Sequence, residues 1–179
     1  LKAFYFIIHT FTANGLRKMS QNISLPTLDR FDRRILDELQ QSGRISNQEL
    51  AERIGLSPSP CLRRVRALEE SGMITGYRAQ VDARKLGLSL MALLHISMDR
   101  HTPERFANFE ETIAALPQVM ECLLITGQEA DYQLKVVVND MDDYHDLLLK
   151  QITRIEGVTG VHSSFVLRQV IDHQRVPTM

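Results

Sequence analysis

Cysteine is scarce in this 179-residue sequence: two, at Cys61 and Cys122, are too few for a disulfide framework. Tryptophan is absent and aromatic residues make up 6% of the chain, but 44% is hydrophobic. That fraction suffices for a packed core and excludes an intrinsically disordered chain. No apolar run reaches the roughly 18 residues needed to cross a bilayer. An excess of one charge sign is lacking too: 22 acids against 21 bases leave −1. So small a total argues at first against a polyanionic partner. The length suits one domain or two small ones.

Dividing the charge along the chain reverses that first inference. Residues 1–28 carry +3, residues 29–78 carry nine bases against eight acids, and residues 79–87 add +1. Residues 88–171 carry six bases against twelve acids, and the tail from 172 is neutral. An acidic C-terminal half masks a mildly basic N-terminal one, which points to two domains with different partners.

Residues 1–28 form an extension, and its first eighteen residues differ in character from the rest of the chain. Phe4–Ile8 is apolar, yet one lysine precedes it and no clean small-residue cleavage site comes after it, so a secretory signal is disfavoured. The segment 1–18 reads as upstream or appended sequence ahead of a natural start at Met19. Two reduced thiols then fit a cytoplasmic protein.

From Asp29 the periodicity becomes helical. Phe31, Ile35, Leu36 and Leu39 share a face, with Asp29 as N-cap and Gly43 as terminator. Ser46-Asn47-Gln48-Glu49 is a capping box opening a second helix that ends at Gly55. After Leu56-Ser57-Pro58 comes a third helix, with Ser59 as its cap, Pro60 in its first turn and Gly72 at its end. Helix, tight turn and helix is the helix-turn-helix pattern.

At about 100° per residue, Cys61, Leu62, Val65 and Leu68 fall on one arc of the third helix. Ser59, Arg63, Arg66 and Ala67 lie opposite, with Arg64 on the flank. The stretch 57–68 holds three arginines and no acid. An apolar back with cationic donors in front suits a helix that reads double-stranded DNA. The candidate DNA contacts are Ser57, Ser59, Arg63, Arg64, Arg66 and Arg78. Arg78 belongs to Met73–Val81, whose alternation and glycine predict a small β-wing. The reading domain spans 29–81, a linker 82–88.

From Ser89 the period changes to two. Leu90, Ala92, Leu94, Ile96 and Met98 form one face of a predicted strand. A helix over Pro103–Leu116, strands over Val119–Thr126 and Asp131–Val138, a helix capped by Asp140 and a strand over Val158–Val170 complete a domain at 89–171. The two helices repeat at an offset of 39 residues, Phe109 matching Leu148 and Ile113 matching Ile152. Two βαβ units in tandem predict a ferredoxin-like βαββαβ layout, with helices on one sheet face and the other covered by another subunit. The fold class is α+β, with a tail at 172–179.

Leu28–Asp32, Gly43–Asn47, Gly55–Arg66, Gly76-Tyr77, Gly127 through Asp131-Tyr132, Gly157-Val158 and Ser163–Val166 together resemble the leucine-responsive/asparagine-regulator (Lrp/AsnC) family of bacterial and archaeal transcription factors. The resemblance spans about residues 27–171. It implies a winged helix-turn-helix joined to an amino-acid-sensing domain, homodimers that often assemble into octamers, and an amino-acid effector bound between dimers. It places Gly127, Asp131 and Tyr132 at the effector loop, with Met141 near it. Physically, a glycine turn exposes N–H groups to a carboxylate, and Asp131 is able to meet an ammonium. Effector identity stays open among leucine, methionine, lysine and others, and no metal or cofactor is implied.

Two other readings stand beside this one. An enzyme of the sirohaem-decarboxylase type shares the two-part layout, and His95, His145 and His162 lie in the second domain. No i, i+4 histidine pair or catalytic triad is present in the spacing, which leaves no catalytic residue to name. A DNA-compacting architectural protein is the other reading.

Overall fold

The computed structural model describes residues 27–126, 130–172 and 175–178. The expectations for positions 1–18 and for Gly127 lie outside the described residues. The chain forms two compact units: one runs to Gln80 and takes in the stretch from Asp172, and the other is Val81–Ile171.

Three helices build the first unit: α1 (Arg30–Gln41), α2 (Asn47–Ile54) and α3 (Pro58–Glu70). Asp29 caps α1 reciprocally. Its carboxylate accepts from the Phe31 and Asp32 amides at 2.7 and 3.0 Å, and Asp32 Oδ2 accepts from the Asp29 amide. Ser46 Oγ accepts from the Glu49 amide at α2, and Gly55 closes that helix at φ +77°. The left-handed conformation there suits glycine, which has no β-carbon to clash. Ile35, Leu36, Leu50, Ala51, Ile54, Cys61 and Leu68 make the core.

Three local expectations are corrected here. α3 begins at Pro58 and not after Ser59, because proline's fixed φ and missing N–H fit the first helical position. Ser57 is its N-cap, without a side-chain capping bond. Leu62, expected on the docked arc, is 39% exposed, since only the narrow Cys61–Val65–Leu68 stripe reaches the core. Residues 75–82 form no β-strand. After the Ile74 amide bonds Leu68 O, the segment continues outside any helix or strand, and among the described residues no strand pairs with it.

The second unit is a four-stranded antiparallel sheet in the order β2-β3-β1-β4. Its elements are β1 (Leu90–Met98), α4 (Pro103–Ala114), β2 (Val119–Leu124), β3 (Tyr132–Val138), α5 (Met141–Asp146) and β4 (Val158–Phe165). Alternation works as expected: Ala92, Leu94, Ile96 and Met98 of β1 join Tyr132, Leu134, Val136 and Val138 of β3 in the core. Phe106, Phe109 and Ile113 of α4 pack against them. Thr102 caps α4, a role the sequence reading missed. β4 stops at Phe165 and not Val170, because beyond Met91, which accepts from the Val166 amide, β1 supplies no further partner.

The two helices are not exact copies. α5 continues into a π-turn over Leu147–Gln151 and a 3-10 turn over Ile152–Arg154. Leu147 is therefore buried where Leu148 was expected, and Leu148 is only partly so. The buried spacing Phe109–Ile113 in α4 becomes Leu147–Ile152 here, one residue longer, and the wide turn absorbs that residue.

Candidate nucleic-acid interface and ligand loop

The exposed side of α3 presents Ser59, Arg63, Arg66 and Ala67, with Leu62 and Glu70 along a shallow groove. Among the described residues, neither Arg63 nor Arg66 has an ion-pair partner, so both guanidinium groups are available as donors. Ser57 is exposed at the start of the helix.

Arg64 is held differently. Its Nη1 lies 2.8 Å from Asp32 Oδ1 and 2.8 Å from Asp29 Oδ2, and its guanidinium sits 5.5 Å from the Phe31 ring centre. The bond to Asp32 pushes the Arg64 pKa up. Asp29 is shifted down, first by the Asp32 amide and also by Arg64. One side chain thereby fixes α3 to the first turn of α1. Arg53 bridges Glu38 and Glu49, and Arg34 donates to the Arg53 carbonyl. Much of the domain's positive charge is thus spent internally.

Two further contacts position α3, and the sequence reading found neither. Asn47 Nδ2 donates to the Pro58 carbonyl at 2.8 Å, tying the start of α2 to the start of α3. Tyr77 Oη donates to Glu69 at 2.9 Å, and burial together with that carboxylate pushes the phenol up to about 12. Arg78 comes next along the chain, exposed.

In the second unit, Asp131 is fully engaged. Oδ2 accepts from the Met98 amide at 2.7 Å, and Oδ1 lies 2.7 Å from His101 Nε2. Its backbone donates to Ile96 O and accepts from the Ile125 amide. Tyr132 is 1% exposed, packs edge-on to Phe106 and at 4.6 Å from Phe109, and donates its hydroxyl to Glu110 at 2.7 Å. Burial above all, then Glu110, raises its pKa. Met141, 53% exposed, begins α5 at the opposite end of β3. The intervening strand separates it from Asp131 by roughly 20 Å within one chain.

A cleft of about 360 Å³ opens between α4 and the edge strand β2, lined by Glu110, Ile113, Met120, Cys122, Leu124 and Tyr132 among others. Its size falls in the lower range of small-molecule sites. At Cys122, desolvation of the thiol first, and Glu110 second, push it up to about 11. His95 and His162 face each other across β1 and β4. Among the described residues no group of three or more His, Cys, Asp or Glu gathers to hold a metal.

Residues 91–176 match the Lrp/AsnC ligand binding domain, and residues 28–75 match a winged helix-turn-helix DNA-binding domain. The leucine-responsive regulatory protein of Escherichia coli K12 is 43% identical over 149 residues, covering 83% of this chain and 90% of that one; the Klebsiella pneumoniae protein of the same name matches equally. Among solved structures, a transcriptional regulator of Neisseria meningitidis in complex with L-Met superposes with a TM-score of 0.81 at 36% identity. That match covers 84% of this chain and 97% of the other. An AsnC family transcriptional regulator of Agrobacterium tumefaciens gives 0.79 at 33%, with the same coverage.

Proposed function

The chain belongs to the Lrp/AsnC family of transcription regulators, and from that premise we propose how it reads DNA and what it senses. α3 enters the major groove, with Arg63 and Arg66 donating to base edges and phosphates and Ser57 and Ser59 hydrogen-bonding the backbone. Arg78 contacts flanking phosphate. Arg64 serves as a positioning residue. The single observation that carries this reading is the contrast within one turn of a single helix: Arg64 is tied to Asp29 and Asp32, while among the described residues Arg63 and Arg66 have no ion-pair partner.

The effector is an amino acid, with methionine the first to try because a similar regulator was solved with it. The loop from Gly127 through Asp131 and Tyr132 shapes the site. Asp131 acts there by holding the loop to the end of β1, since both its carboxylate oxygens already have partners. Met141 reaches an effector at that loop only if a second copy supplies it, which favours a site between subunits of a homodimer or octamer. The protein works in the cytoplasm.

A thermal-shift screen against the twenty amino acids, followed by gel shifts on operator DNA, tests the proposal. An amino acid that binds the folded state raises the unfolding midpoint. Absence of any shift, or DNA binding that ignores every amino acid, refutes the sensing half.

A further inference from the structure

Arg33, Asp37 and Gln40 stand at i, i+4 and i+7 on α1 and so form one stripe along that helix. The C-terminal segment 175–178, outside any helix or strand, lies on this stripe. Gln40 pairs with Val176 from both sides: its Oε1 accepts from the Val176 amide at 2.6 Å, and its Nε2 donates to the Val176 carbonyl at 3.0 Å. An adjacent β-strand would satisfy the backbone in the same way. Further toward the start of α1, Arg33 Nη1 donates to Thr178 O at 2.7 Å, and Thr178 Oγ1 donates to Asp37 Oδ1 at 2.6 Å. The segment therefore runs antiparallel to the helix.

The chemistry recognises an extended backbone and one hydroxyl, not an apolar side chain, for Val176 remains 70% exposed. Pro177 suits the position, having no N–H to leave unpaired and a φ already close to extended. The segment lies beyond β4, the last strand of the ligand-binding domain. Hydrogen bonds exposed to water contribute modestly and open readily, as a releasable contact requires.

We propose that the Arg33–Asp37–Gln40 stripe is a receptor for segment 175–178, which acts as a second tether from the ligand-binding domain to the reading head, beside the covalent linker. The proposal rests on the DNA-reading function above. The full chain is compared with Gln40→Ala and with a chain ending at Asp172. Alanine favours the helix, so α1 itself is not weakened. The Val176 amide exchanges at least about tenfold more slowly in the parent than in Gln40→Ala, and both variants change operator affinity by the same factor, about threefold or more, without touching α3. An unprotected Val176 amide, or operator affinity unchanged in both variants while Arg63→Ala still weakens it, overturns the tether. If Arg63→Ala has no effect either, the DNA-reading surface is misassigned, and the exchange result alone decides the clasp. Mixing Gln40→Ala chains with truncated chains adds a further check: recovered protection assigns the segment to a second copy and overturns the within-chain form.

Discussion

Arg64 of α3 and Asp32 of α1 are joined by a 2.8 Å contact, and Asp29 meets the same guanidinium nitrogen. The carboxylates that complete the α1 cap thus also fix the angle at which the reading helix leaves the core. Arg63, one residue earlier, has no such partner among the described residues and is exposed.

The two neighbours are expected to fail in different ways when replaced. Arg63→Ala weakens operator binding by about 1–3 kcal/mol if it makes a bidentate base contact, and leaves the unfolding midpoint unchanged. Arg64→Ala lowers that midpoint by roughly 4–8 °C, the shift that accompanies about 1 kcal/mol in a domain of this size. Gel shifts and thermal melts on both variants separate the roles; identical phenotypes would contradict them.

Acid should loosen the first unit through Asp29. Its carboxyl titrates below the usual 3.8 when folded, because the Asp32 amide, with Phe31 and Arg64, favours the charged form. Its contribution is fully present above the ordinary value and disappears as pH falls through the lower folded value. Asn is an equally good cap but does not titrate. The difference in midpoint between the parent and Asp29→Asn is therefore flat above about pH 5 and shrinks below about pH 4. A difference that stays constant down to about pH 2 would contradict this account.

Asp131→Ala leaves the Met98 amide without its acceptor, an omission that costs about 1–3 kcal/mol where water cannot substitute. The variant melts earlier and loses the amino-acid response, with basal DNA binding kept. Asp131→Asn retains an acceptor for that amide and recovers most of the stability. Calorimetry showing full effector affinity in the alanine variant would remove Asp131 from the loop's function.

Gly157 has φ +98°, and a β-carbon there would sit 2.4 Å from Arg105 Cδ and 2.9 Å from Asp99 Oδ1. Arg105 bridges Asp99 and Glu156 across this glycine. Gly157→Ala should destabilise the second unit by at least the roughly 1–2 kcal/mol of a left-handed L-residue. Chemical denaturation of the variant gives the number; an unchanged midpoint would contradict both the backbone strain at φ +98° and the clash with Arg105.

Cys122 is exposed as a residue, but its thiol is partly desolvated beside Glu110 and should be a poor nucleophile at neutral pH. With its thiol near 11, the thiolate fraction at pH 8 is on the order of one in a thousand. Alkylation by iodoacetamide should be slow and accelerate steadily to about pH 11. Rapid labelling at pH 7 would show that the thiol is neither desolvated nor held protonated by Glu110.

Much of this was readable before any coordinates. Asp29 and Ser46 as caps, Gly55 as a stop, and the alternation of Ala92, Leu94 and Ile96 obey rules that act within a few residues. So does the gathering of arginines on one side of α3. Apart from the start of α3, which proline's own geometry sets at Pro58, what failed did so where partners were needed. Residues 75–82 found no strand to pair with, β4 ended where β1 ran out, and a π-turn took up the extra residue that strict repetition had not foreseen.

By itself, then, the sequence determined the elements, the two-part organisation, the charge asymmetry and the family, because period, caps and motif strings are properties of neighbouring residues. Tertiary structure alone decided which arginine is tied and which, among the described residues, is not, that Asp131 is engaged by Met98 and His101, and that residues 175–178 lie along α1. Those outcomes join groups 32, 33 and 136 residues apart. Folding decides which charges and amides meet across such distances, and so, among the described residues, it leaves Arg63 and Arg66 of α3 outside any ion pair while Arg64 is tied.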